Sequence, residues 1–138
     1  MDALLGHPWA YPALEVAHIA GIALLVGNLV LLEFRVFGRG AAIPVVDLAR
    51  LSLGVALAGF GLAAASGLTM FLAQPQELIA NRAFVLKMTL LLAAGCNAAW
   101  FHGRGSLRRL DGVAQLQMAV SGLLWLAVIA CGRWIAYV

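Results

Sequence analysis

The chain has 138 residues, of which 64% are hydrophobic and 11% charged, and its formal net charge is +3. Mean hydropathy is +0.97, and the charged share is under half of the roughly 25% usual in soluble domains. A water-soluble bundle would need a polar face on every helix, which this composition cannot supply. Nor is the small positive charge grouped into a nucleic-acid-binding face; it is spread over the ends of apolar runs.

Residues 16–32, 51–73, 88–101 and 112–132 contain no Asp, Glu, Lys or Arg. A helix needs about 20 mainly apolar residues to cross a bilayer core. The third run reaches that length by starting near Ala83 and taking in Lys87, whose aliphatic stem can carry its ammonium outward. The expected fold is therefore all-α, a transmembrane up-down four-helix bundle. It forms a single integral membrane domain over 1–138, with spans near 12–35, 48–74, 83–102 and 112–136.

In chain order, Gly6 to Pro12 reads as an interfacial segment, with Trp9 and Tyr11 at headgroup level and Pro12 opening the first helix. No basic region precedes that helix, so it is expected to be retained rather than cleaved. Gly38 and Gly40 stop it, Pro44 follows, and Asp47 is the expected N-cap of the second helix. That helix is dense in small residues (Gly54, Ala58, Gly59, Gly61, Ala63 to Gly67), which allow close helix contact in lipid. They suit contact within the bundle, or a homo-oligomer or larger membrane complex formed through helix 48–74. Residues 76–81 are expected to form a short polar loop, with Asn81 capping the third helix. Arg104 to Arg109 forms a basic connection, Asp111 starts the fourth helix, and Trp134 and Tyr137 anchor its far end.

Six of the nine basic residues (Arg35, Arg39, Arg50, Arg104, Arg108, Arg109) flank the first and third connections. By the positive-inside rule those connections face the cytoplasm, and both termini face the periplasm. Glu33, Arg35, Asp47 and Arg50 are expected to form an ion-pair cluster on that face. Cys96 and Cys131 are expected to be free thiols, since helical rise puts them at depths of about 20 Å and about 9 Å from the same bundle end. Asn28 and Asn97 are expected to hydrogen-bond between helices.

His18 is the leading candidate for chemistry, because a polar side chain deep in a span is costly to bury. Glu15 and Gly21, three residues to either side, share its side of the helix. Glu15 is placed to orient the ring, and Gly21 to leave room for a flat macrocycle. Met70, Met88 and Cys131 fall at a similar depth, with Lys87 and Arg133 nearby to receive propionates. Imidazole with thioether is an axial set for haem iron and also suits copper. His102 lies at the opposite end of the third span, too far to share a haem with His18, and could serve a second site. His7 could fold back over His18. There is no P-loop, GxSxG, CxxC or HExxH, and no paired carboxylates lie mid-span, so hydrolytic or nucleotide-driven chemistry is not indicated.

The strings Glu15-Val-Ala-His18-Ile-Ala-Gly21 and Leu32-Glu33-Phe-Arg35-Val-Phe-Gly38 carry a resemblance, together with Asn81-Arg-Ala-Phe84-Val-Leu-Lys87, Asn97 and His102. The chain resembles a family of small uncharacterised four-span bacterial inner-membrane proteins, which implies an architecture and a location but no activity. More loosely, the layout is similar to four-helix membrane cytochromes b and to copper-resistance D-type proteins. It departs from the cytochromes in having three His residues, where two bis-His haems need four. The leading expectation is a haem b protein for electron transfer, with haem on His18 near the outer face. Copper handling through the same layer, or a non-catalytic accessory subunit, are the alternatives.

Overall fold

The structure is a computed structural model and describes residues 8–135. His7 and Tyr137, named above, lie outside the described residues. Four long helices, α1 (Ala10–Val36), α2 (Val45–Ala73), α4 (Arg82–Arg104) and α6 (Gly112–Trp134), are joined by two short ones, α3 (Pro75–Ala80) and α5 (Ser106–Arg109). All four long helices are long and apolar enough to cross a membrane. The fold is the expected all-α four-helix bundle, arranged as two antiparallel hairpins: α1 packs along α2, α4 along α6, and the hairpins meet chiefly where α1 touches α6.

The α1–α2 seam follows from the sequence period. The buried residues of α2 are Val45, Ala49, Ser52, Ala56, Gly59, Ala63 and Ser66, spaced alternately by four and three. That is the 3.5-residue repeat which keeps one stripe facing a partner helix. The opposing buried stripe of α1 is Gly21, Leu25, Leu32 and Val36. Gly21 and Gly59 meet backbone to backbone. A Cβ on Gly21 would lie 2.6 Å from both Ala63 N and Gly59 O, and one on Gly59 would lie 2.6 Å from Gly21 O. The small residues of α2 are thus consumed by α1 along this face, while Gly54 and Gly61 look into open space.

One end of the bundle, here the basic end, holds the larger core. Leu32 and Val36 pack there with Val45, Ala49, Phe101, Ala114 and Met118. Gly38 (φ 99°), Gly40 (φ 65°) and Gly105 (φ 74°) supply the left-handed conformations that stop α1 and α4, as glycine does at helix C-termini. Arg104 is paired with Asp111 and also donates to Ser106 Oγ at 2.9 Å. Ser106 Oγ in turn donates to the amide oxygen of Gln117, a fully buried side chain. Asn97 Nδ2 donates to the backbone oxygen of Gln117 at 2.9 Å, joining α4 to α6.

Several local expectations change. Helix α1 begins at Ala10, so Pro12 sits within its first turn, where its missing N–H costs nothing. The extended Pro44 (ψ 126°) holds the N-cap position of α2, and Asp47 lies in the first turn instead, where an acidic group still favours the helix dipole. Residues 75–80 are a helix rather than a loop, opened by Pro75 at its first position. Asn28 donates to Leu24 O at 2.7 Å within its own helix and so does not bridge helices. Among the described residues, the four charges expected to cluster form no ion pair. Arg35 Nε donates to Ile43 O at 2.7 Å instead, because that carbonyl lies within reach across the tight α1–α2 turn. The caps at Asn81 and Asp111 form as expected: Asn81 Oδ1 accepts from Ala83 N and Phe84 N, and Asp111 accepts from Ala114 N. Cys96 and Cys131 are free.

Candidate functional site

The long helices converge on His18 near the end opposite the basic one. Ala10 is eight residues before it, so the ring lies about 12 Å into the bundle from the start of α1. The seam that closes on Gly21 presents the next turn of α2 to His18. Its Nδ1 is 2.8 Å from Ala63 O and 3.3 Å from Ser66 Oγ. A carbonyl oxygen only accepts, so Nδ1 must carry the proton. Ser66 spends its own hydroxyl hydrogen on Leu62 O at 2.7 Å and can accept from the ring. Gly67 makes room for the imidazole, since a Cβ there would lie 3.1 Å from His18 Cε1.

With Nδ1 protonated, the lone pair is on Nε2, and it faces Lys87 Nζ on α4 at 3.5 Å. An ammonium has donors and no acceptor, so the contact is Lys87 N–H to His18 Nε2. Behind it, Gly132 on α6 leaves space for the lysine: a Cβ there would lie 3.5 Å from Nζ. The result is one polar chain, Ser66 and Ala63 O to His18 to Lys87, reaching from α2 through α1 to α4, with α6 as its floor.

Of the residues singled out by sequence, the structure brings Lys87 to His18. Glu15 is exposed and makes no hydrogen bond to the ring, whose Nδ1 is held from α2 instead. Gly21 offers no cleft, because the α2 backbone fills the space beside it. Met70 is partly buried, and Met88 and Arg133 are exposed. His102 lies exposed near the basic end of α4, its ring edge-on to Phe101. Fifteen residues separate it from Lys87 along α4, about 22 Å. Among the described residues, no group of three or more His, Cys, Asp or Glu is arranged to hold a metal ion.

Ser66 is the member that sequence reading passed over. It sits among alanines and glycines and reads as one more small packing residue. Its signal was its register, three residues after Ala63 on the 3.5-residue stripe. No family model, curated protein or solved structure matches the chain.

Proposed function

We propose that this is a multi-pass protein of a bacterial inner membrane whose working centre is the His18–Lys87 pair, a site that holds and exchanges a proton between the spans. The basic end faces the cytoplasm in this reading, by its share of arginines, so the pair lies in the outer half of the bilayer. The observation that carries the proposal is the 3.5 Å approach of Lys87 Nζ to His18 Nε2, with Nδ1 locked by Ala63 O. Ionisable groups within spans are costly and mark proton or ion pathways. One ammonium and one neutral imidazole make a charge-assisted hydrogen bond. A second proton would place two cations side by side in an apolar setting and drive α1 and α4 apart. Proton uptake from the nearer face is thereby linked to the packing of the two hairpins.

The test is nitrogen NMR of the His18 ring in nanodiscs. The expected spectrum is the Nδ1–H tautomer, with an Nε2 resonance that moves in Lys87→Met and a titration that changes with it. An identical ring spectrum and titration in Lys87→Met would overturn the proposal.

A second reading, haem b ligation by His18 for electron transfer, is favoured by one feature. A ring with Nδ1–H held by a carbonyl presents Nε2 in the state that iron needs. Haem would supply one-electron chemistry there. The residues meet the ligand requirement but not the space requirement, because Lys87 occupies the Nε2 side and Gly21 is closed. A Soret band in protein expressed with ample haem, absent in His18→Ala, would support this reading. A colourless protein would remove it and leave the proton centre standing.

A further inference from the structure

A second feature lies about 22 Å from His18 along α1, fifteen residues on. Where α1 crosses α6 toward the basic end, a groove of about 500 Å³ opens between them, walled by Val26, Val30 and Glu33 from α1, by Phe37 just beyond its end, and by Gly122 and Trp125 from α6. That volume falls within the 300–1,000 Å³ typical of small-molecule sites. From Val26 to Phe37 the wall runs about 16 Å along the helix. Every side chain on this wall is apolar or aromatic except Glu33.

The carboxylate reaches across the groove to α6. A Cβ on Gly122 would lie 2.6 Å from Glu33 Oε1 and 3.2 Å from Oε2, so the absence of a side chain at 122 gives the acid its place. Among the described residues, the Glu33 carboxylate has neither an ion-pair nor a hydrogen-bond partner. The nearest cation in sequence, Arg35, is turned to Ile43 O. In its ionised form this carboxylate on an apolar wall, with the opposing α6 backbone already bonded within its helix, selects a cationic complement. A hydrocarbon chain alone would leave the carboxylate unpaired, and an anionic amphiphile would be repelled.

We infer that the α1–α6 groove binds a small lipophilic cation, whose charge pairs with Glu33 and whose apolar body lies along Val26, Val30 and Trp125. The site is independent of the His18–Lys87 pair.

The test uses full-length protein in phosphatidylcholine nanodiscs, with tetraphenylphosphonium as probe and empty nanodiscs as the partition background. Saturable binding of one cation per chain is expected, with tetraphenylborate, the anion of like shape, showing none. Glu33→Gln should weaken the cation at least tenfold. Val30→Trp, which fills the groove and keeps the acid, should weaken it similarly. Circular dichroism melts matching the parent establish that each variant is folded. The inference is overturned by binding no greater than the empty-disc background, by equal binding of the anion, or by a folded Glu33→Gln that binds like the parent. Loss of cation binding when half the lipid is phosphatidylethanolamine would also overturn it, because the occupant would then be a lipid amine.

Discussion

Gly21→Ala tests the element on which the His18 site depends. The added Cβ would sit 2.6 Å from Ala63 N and from Gly59 O, and 3.1 Å from Ala63 Cα. All three are backbone atoms, so no side chain can rotate away; the helices must separate by about 1 Å to restore ordinary contact, and overpacking of this kind costs about 1–3 kcal/mol. Replacing a mid-helix glycine by alanine returns up to about 1 kcal/mol of helix propensity. Gly54→Ala isolates that second effect, because nothing lies within 4 Å of its Cβ. The difference between the two variants therefore reads the clash alone, about 1–3 kcal/mol. Unfolding in mixed micelles, by titrating sodium dodecyl sulfate into a mild detergent and following helicity, measures both. Because Ala63 is also the acceptor for His18 Nδ1, the His18 ring resonances should shift in Gly21→Ala and not in Gly54→Ala. Equal stabilities for the two variants would refute the close α1–α2 crossing, and with it the way His18 is held.

Three further outcomes follow from the connections. Asn81→Ala removes the cap of α4 and the 2.9 Å bond from Asn81 Nδ2 to Ile135 O, and should cost about 1–2 kcal/mol in the same unfolding assay. Gln117 Nε2 is buried without a partner, and its amide oxygen accepts from Ser106. Ser106→Ala combined with Gln117→Leu should therefore lie closer to the parent than the sum of the singles, with a coupling energy on the order of 1 kcal/mol. The Asp111 carboxyl is held down at about 2, chiefly by its hydrogen bonds from Arg104 and then from Ala114 N–H. Its folded value lies below the ordinary 3.8, so its contribution is complete above that value and is lost as pH falls toward 2. The protection factor of the Ala114 amide should fall across that interval, and Asp111→Asn should abolish that pH dependence.

Much of the fold was legible because the bilayer imposes a coarse rule. Apolar runs near 20 residues, fenced by arginine, stopped by Gly38 and Gly40 and opened by Asn81 and Asp111, determine four helices and their order without reference to any partner. The two caps were readable because their hydrogen bonds run to amides two or three residues away. Contacts across the bundle were not readable. Depth counting put Lys87 near His18, but rotation about each helix axis decides whether two residues at one level face each other.

The sequence by itself determined the number of spans, their apolar length and the position of an imidazole inside one of them, since these depend on composition and local hydrogen bonding. The tertiary structure decided what that imidazole meets. The backbone approach of Gly21 to Gly59 set the register that offers Ala63 O and Ser66 to Nδ1. The packing of α4 against the first hairpin then turned Lys87 toward Nε2. It also decided that Glu33, read in sequence as a member of an ion-pair cluster, has no ion-pair partner among the described residues and lines an apolar groove instead. A charge finds its partner only through the relative rotation of helices, which side-chain packing fixes and chain order does not.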